Sequence, residues 1–210
     1  MARSPVDRPR LTFRRLSGLD RSGPPPPQTR AGQPLNPWTL PNAIGYVRLA
    51  LIPVFLVLAL GSESGTDALP AVLFAVIGWT DYLDGIAARV TGQYSRLGAL
   101  LDPLVDRLLI LAGVVVCWHF ELLPRWALLA LALREVLMLL LVRAAMRAHI
   151  DLSVNWFGRA GVFPVFGALF FALTGLEDLA AVLLYIGLVL VYGSLAQYVR
   201  DGLRQHRAQP

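Results

Sequence analysis

The chain of 210 residues contains no lysine; all 19 of its basic residues are arginine, which is a bias of composition and carries no functional reading. It has one cysteine, Cys117, set in the apolar run GVVVCW. A single thiol excludes a disulfide framework within the chain and leaves the redox compartment unspecified. Charged residues are scarce, at 16% against 56% hydrophobic, and the mean hydropathy is +0.57. A soluble domain of this length usually carries a smaller apolar fraction. The first 40 residues lack an apolar core of signal-peptide length, so no cleavable leader is expected. No internal repeat stands out.

What is present is long apolar runs. Six candidate membrane spans can be marked, at about 43–61, 69–91, 98–118, 124–147, 155–175 and 178–200. Each is near or above the roughly 20 residues needed to cross ~30 Å of hydrocarbon at 1.5 Å per residue. Pro41 suits the first turn of the first span. The formal charge of +5 and pI of about 10.0 would raise the question of nucleic acid in a soluble protein. Here the charges flank apolar segments, so the expected partner is an anionic membrane surface and not nucleic acid.

Loop charge sets the expected orientation. Glu63 and Asp67 follow the first span, and Glu177 and Asp178 sit between the fifth and sixth; these read as outside. Arg89 and Arg96, Arg143 and Arg147, and Arg200, Arg204 and Arg207 read as inside. The 119–125 turn, with Glu121 against Arg125, is ambiguous. The expected fold is therefore all-α, a multi-pass plasma-membrane protein with six transmembrane helices and both termini cytoplasmic. Residues 1–37, with seven Arg, two Asp and the run Pro24–Pro27, read as a disordered cytoplasmic tail. The membrane domain spans 38–201, and 202–210 read as a cytoplasmic C-terminal tail.

Four carboxylates interrupt the second and third spans, where each ionised side chain costs about 2.5–3.5 kcal/mol on insertion scales. Asp81, Asp84, Gly85, Ala88 and Arg89 fall on one helical face, and Gly98, Asp102 and Asp106 on another. Counting outward from Tyr94, the aspartates meet at similar depths near the cytoplasmic side. Mutual repulsion in a low dielectric is relieved by bound cations. An all-oxygen donor set suits Mg²⁺ or Mn²⁺, and no His or Cys shares these faces to favour zinc. Two ions would balance four charges and clamp a pyrophosphate. The small residues leave room for a large ligand, and Arg89 offers a fork of donors to a phosphate.

A plain ion-pair network between helices predicts neither the glycines nor the spacing. Arg89 also suits a cytoplasmic anchor, and Arg134, Arg143, Arg147 and Arg159 also suit positive-inside topology or snorkelling. Trp79 and Tyr82 read as lipid-facing or packing residues, His119 and His149 as interfacial, and Gly78 and Gly193 as points of close helix packing.

The stretch from Asp81 through Asp84, Gly85, Ala88 and Arg89 to Gly98, Asp102 and Asp106 resembles the signature of the CDP-alcohol phosphatidyltransferases, matching all eight positions with the expected gaps. The resemblance extends over roughly residues 38–200. It implies that Asp81, Asp84 and Asp102 are metal ligands, and that Asp106 is the catalytic base and touches a metal as well. It implies that Gly85, Ala88, Arg89 and Gly98 contact the CDP moiety, and that the chain forms a homodimer.

Pro41, Asn42 and Arg48, the run SRLGALLDPLVDRL, the pair Arg134–Glu135 and Gly158–Arg159 resemble the phosphatidylglycerophosphate and cardiolipin synthase branch. Gly45 stands where that branch often has Thr, and Arg159 where it has Lys. Arg134 and Arg159 would then hold an anionic acceptor. The expected reaction joins CDP-diacylglycerol to glycerol 3-phosphate, giving phosphatidylglycerophosphate and CMP. The alternative acceptor is phosphatidylglycerol, giving cardiolipin. A cation transporter is the alternative from another class, but the outer halves of spans two and three (LPAVLFAVIG and LLILAGVVVCW) offer no polar trail.

Overall fold

A computed structural model describes the fold of residues 36–91, 93–147 and 156–208; side chains at 84, 89, 141–147, 156–160, 198 and 201–208 lie outside the description. Six α-helices follow in order: α1 (Leu40–Leu60), α2 (Ala68–Thr91), α3 (Arg96–His119), α4 (Arg125–Arg147), α5 (Trp156–Leu173) and α6 (Glu177–Ala208). They match the six expected segments to within a few residues, except at the C-terminal end. There α6 runs on through the expected tail to Ala208, because Leu, Arg, Gln and Ala after Gly202 are all good helix formers. The expected N-terminal tail falls almost wholly outside the described residues.

Leu40–Leu60, Ala68–Ala88 and Glu177–Gln197 are long and apolar enough to cross a membrane. The described residues divide into two compact units, one of those up to 50 together with those of 78–105, the other of 51–77 with the described residues from 106 onward.

In the first unit, local capping fixes the helix starts. The Asn42 N–H donates to Thr39 Oγ1 at 3.4 Å, which makes Thr39 the N-cap of α1. The Gly98 N–H donates to Ser95 Oγ at 2.9 Å, which makes Ser95 the N-cap of α3. At the end of α2, Thr91 Oγ1 donates to the Ala87 carbonyl at 2.7 Å. The Leu40 N–H donates to Gln93 Oε1 at 3.1 Å, tying the start of α1 to the α2–α3 turn. At Gly45 a Cβ would lie 2.8 Å from Leu101 Cδ2, the end of a flexible side chain that would have to shift to admit a larger residue. Trp38, Trp79, Tyr82 and Leu83 are exposed, as side chains facing lipid would be.

The second unit is built on aromatic and glycine contacts. Phe74 on α2 stacks on Phe166 of α5 at 4.7 Å between centroids and tilts against Phe55 of α1 at 5.4 Å. Gly113 on α3 admits the Phe74 ring. Helices α5 and α6 approach closely where Gly187 meets the Val165 backbone and Gly161 meets Val191, as small residues permit in membrane helix pairs. Gly193, expected at such a contact, meets nothing within 4 Å among the described residues, whose close approach on α6 lies at Gly187. Tyr192 on α6 donates its hydroxyl to the Ala130 carbonyl of α4 at 2.8 Å. Val57, Phe163 and Val189 are exposed while Cys117 is buried. Outward-facing large apolar residues on apolar helices are the pattern of a protein solvated by hydrocarbon.

Candidate active site

The first unit holds three of the four motif aspartates. Asp81 on α2 accepts a hydrogen bond from Arg48 Nη1 on α1 at 2.9 Å. The arginine side chain is 1% exposed and the aspartate 42%, so the pair joins a buried cation to a carboxylate open on one side. Asp102 on α3 is half-buried and lies within electrostatic range of both Asp81 and Arg48. Asp84 follows Asp81 by one turn of α2, with its side chain outside the description, as is that of Arg89. Gly85 and Ala88 lie on the same helix and are half-buried.

Gly98 lies at the start of α3, one turn before Asp102. A Cβ there would come within 2.7 Å of Asn42 Oδ1 and 3.1 Å of Ser95 Oγ. Asn42 is buried, and it accepts a hydrogen bond from Ser95 Oγ at 2.8 Å.

Asp81 and Asp102 offer hard oxygen donors, the kind Mg²⁺ or Mn²⁺ prefers. Among the described residues no group of three or more His, Cys, Asp or Glu side chains forms a metal cluster, and Asp84 is outside that search. The carboxylates present fit a hard divalent ion, and Arg48 compensates part of their charge.

In the second unit, Asp106 is half-buried on α3. Beside it Arg107 approaches Glu135 of α4, with Nε 3.7 Å from Oε2. The other carboxylate oxygen of Glu135 accepts from Nη1 of Arg134. Glu135 and Arg134 are 1% and 3% exposed. Among the described residues Arg134 Nε is buried with no hydrogen-bond partner. Arg159, the other expected acceptor contact, starts α5 with its side chain outside the description.

Sequence reasoning placed Arg48, Asn42 and Glu135 only as parts of a resemblance and gave them no partners. A signal existed for Arg48, since a charge within an apolar run calls for an opposite charge on a neighbouring span.

The model of the CDP-alcohol phosphatidyltransferase family matches residues 38–193, and the chain belongs to that family. It is 41% identical over 129 residues to a Streptomyces coelicolor protein named cardiolipin synthase (CMP-forming), covering 60% of each chain. It is 34% identical over 110 residues to a Bacillus subtilis protein named CDP-diacylglycerol--glycerol-3-phosphate 3-phosphatidyltransferase, covering 47% of this chain and 57% of that one. A Haemophilus influenzae protein of the latter name is 27% identical over 172 residues, covering 78% of this chain and 92% of that one. The chain thus spans about 60% of the length of the first curated relatives it matches.

Proposed function

We propose that the chain is a multi-pass plasma-membrane enzyme that transfers the phosphatidyl group of CDP-diacylglycerol to glycerol 3-phosphate, releasing CMP and forming phosphatidylglycerophosphate. The observation that carries the reading is the first motif aspartate, Asp81, held at 2.9 Å by buried Arg48 and within electrostatic range of the third, Asp102. All six helices cross the bilayer with both termini cytoplasmic. Residues 38–201 form the membrane domain, and the site faces the cytoplasmic side, where glycerol phosphate and CMP are soluble.

In this reading Asp81, Asp84, Asp102 and Asp106 hold Mg²⁺ or Mn²⁺, two ions by charge balance, which when bound supply positive charge to the pyrophosphate. Gly85, Ala88, Arg89 and Gly98 border the CDP moiety. Asp106 takes the proton of the acceptor hydroxyl. The acceptor oxygen then forms its bond to the β-phosphorus, the bond to the CMP oxygen breaks, and the electron pair leaves with CMP. Arg134 and Arg159 hold the acceptor's phosphate. The buried, unpartnered Arg134 Nε supports this, since a phosphate oxygen would satisfy it.

A second reading has phosphatidylglycerol as acceptor and cardiolipin as product. It is favoured by the 41% identity to the Streptomyces coelicolor protein named cardiolipin synthase. The test is CMP release from CDP-diacylglycerol by purified protein with Mg²⁺ or Mn²⁺, comparing the two acceptors. Turnover with glycerol 3-phosphate supports the first reading, and turnover with phosphatidylglycerol alone moves the product to cardiolipin. Silence with every polar acceptor, joined to ion flux in vesicles, would replace transfer by cation transport.

A further inference from the structure

The second glycine of the motif, Gly98, reads from sequence as clearance for a ligand, and the direction a Cβ would take from it is also occupied by the protein itself. The nearest atom to a Cβ at 98 is Asn42 Oδ1, at 2.7 Å, and the next is Ser95 Oγ, at 3.1 Å. Asn42 is 1% exposed and lies on α1, outside the motif. Its amide is fully engaged. Nδ2 donates to the carbonyls of Asn36 at 3.0 Å and Pro37 at 3.1 Å, while Oδ1 accepts from Ser95 Oγ at 2.8 Å. Ser95 Oγ in turn accepts from the Gly98 N–H at 2.9 Å, the capping bond of α3. Aspartate at 42 would lose both donors and face two carbonyl oxygens with a charge. Glutamine would carry its amide one methylene too far.

We propose that Asn42 is a positioning residue for the motif: it occupies the room that Gly98 leaves and, through Ser95, fixes where α3 starts and how it is rotated. Gly98 and Asp102 are four residues apart, on one face of α3. Rotation at 98 is therefore passed directly to Asp102, whose neighbours Asp81 and Arg48 stand on α2 and α1. The bond from Leu40 to Gln93 Oε1 is a second tie between the start of α1 and the turn leading into α3. The Ser95–Asn42 bond is buried, so a slide or turn of α3 would break a polar contact that is costly to leave unmade, while the Leu40–Gln93 tie is exposed and adds less. The inference rests on the reading of Asp102 as a metal ligand.

The experiment is a double-mutant cycle on purified protein in detergent: Asn42→Ala, Gly98→Ala and the two combined, with Asp102→Asn beside them. Tm, Mn²⁺ affinity by electron paramagnetic resonance and CDP affinity by calorimetry are read for each. Gly98→Ala should lower Tm and weaken Mn²⁺ binding roughly tenfold, the scale of a supporting contact around a metal site. Asn42→Ala should weaken Mn²⁺ similarly. The combined variant should be no worse than Asn42→Ala alone, because the clashing oxygen is gone.

Gly98→Ala that keeps Tm and Mn²⁺ affinity while losing CDP would overturn the proposal, and so would losses that multiply in the combined variant. If Gly98→Ala does not fold, recovery of folding in the combined variant supports the proposal and failure to recover overturns it. Unchanged Mn²⁺ binding in Asp102→Asn would remove the metal reading itself, and the coupling of 42 to 98 would still be decided by Tm.

Discussion

Arg48 and Asp81, on α1 and α2, form an ion pair at 2.9 Å in which the cation is buried and the carboxylate is 42% exposed. Replacing Arg48 by Leu takes this partner from a motif aspartate. The expected loss is roughly 10–100-fold in CMP release and about 1.5 kcal/mol of stability, the low end for a charged hydrogen bond because Asp81 is open to solvent. Arg48→Lys keeps the charge but not the planar fork and should fall between. Turnover and thermal unfolding in detergent measure both, and full activity in Arg48→Leu would separate the pair from the chemistry.

Asp106→Asn keeps the shape of the side chain and removes its basicity. CMP release should drop on the order of 10²–10⁴-fold, with the helical circular dichroism and Tm of the parent. A variant that retains a tenth of the parental rate would assign the proton to another group.

Treatment with EDTA should abolish turnover, and Mg²⁺ or Mn²⁺ should restore it, since a carboxylate donor set selects hard cations. Zn²⁺ should restore it poorly. Persistent activity after exhaustive chelation would refute the metal-dependent reading.

Glu135 sits between two guanidiniums, so Glu135→Ala leaves Arg134 buried without this carboxylate. Breaking a buried pair in this way costs about 3–5 kcal/mol, and Glu135→Gln should cost less. If the group serves the acceptor, Glu135→Gln should raise KM for glycerol 3-phosphate while leaving KM for CDP-diacylglycerol in place. A change in Tm alone would mark the group as structural.

Two glycines of α6 should respond oppositely. A Cβ at Gly187 would lie 2.7 Å from Val165 Cγ2 and 3.0 Å from the Val165 backbone nitrogen, whereas one at Gly193 would meet nothing within 4 Å. Gly187→Ala should cost about 1–3 kcal/mol by overpacking. Gly193→Ala should be neutral or stabilise by up to about 1 kcal/mol through helix propensity. Paired thermal melts distinguish them.

The helices were legible because hydropathy reports their existence directly, whereas the Ser95 cap that starts α3 was not read, and the expected start at 98 lies two residues beyond the observed Arg96. The motif was legible because Asp81, Asp84, Asp102 and Asp106 stand at helical spacing where hydrocarbon should be. Contacts between distant segments were not legible. Nothing local to Asn42 says that its amide will meet Ser95, 53 residues on, or that its oxygen will lie beside Gly98. Gly193 shows the converse: a small residue in an apolar helix has the same local sequence character whether it faces a neighbour or open space.

Arg48 also bears on how the chain enters the membrane. Its carboxylate partner emerges from the ribosome 33 residues later. In the proposed topology α1 carries this charge into hydrocarbon before its aspartate arrives, at a cost of about 2.5–3.5 kcal/mol on insertion scales. Once α2 arrives, each helix neutralises a charge of the other. The first two helices are thus suited to partition as a hairpin, with the pair that orients a motif aspartate in the finished protein also easing the passage of its first helix into the bilayer.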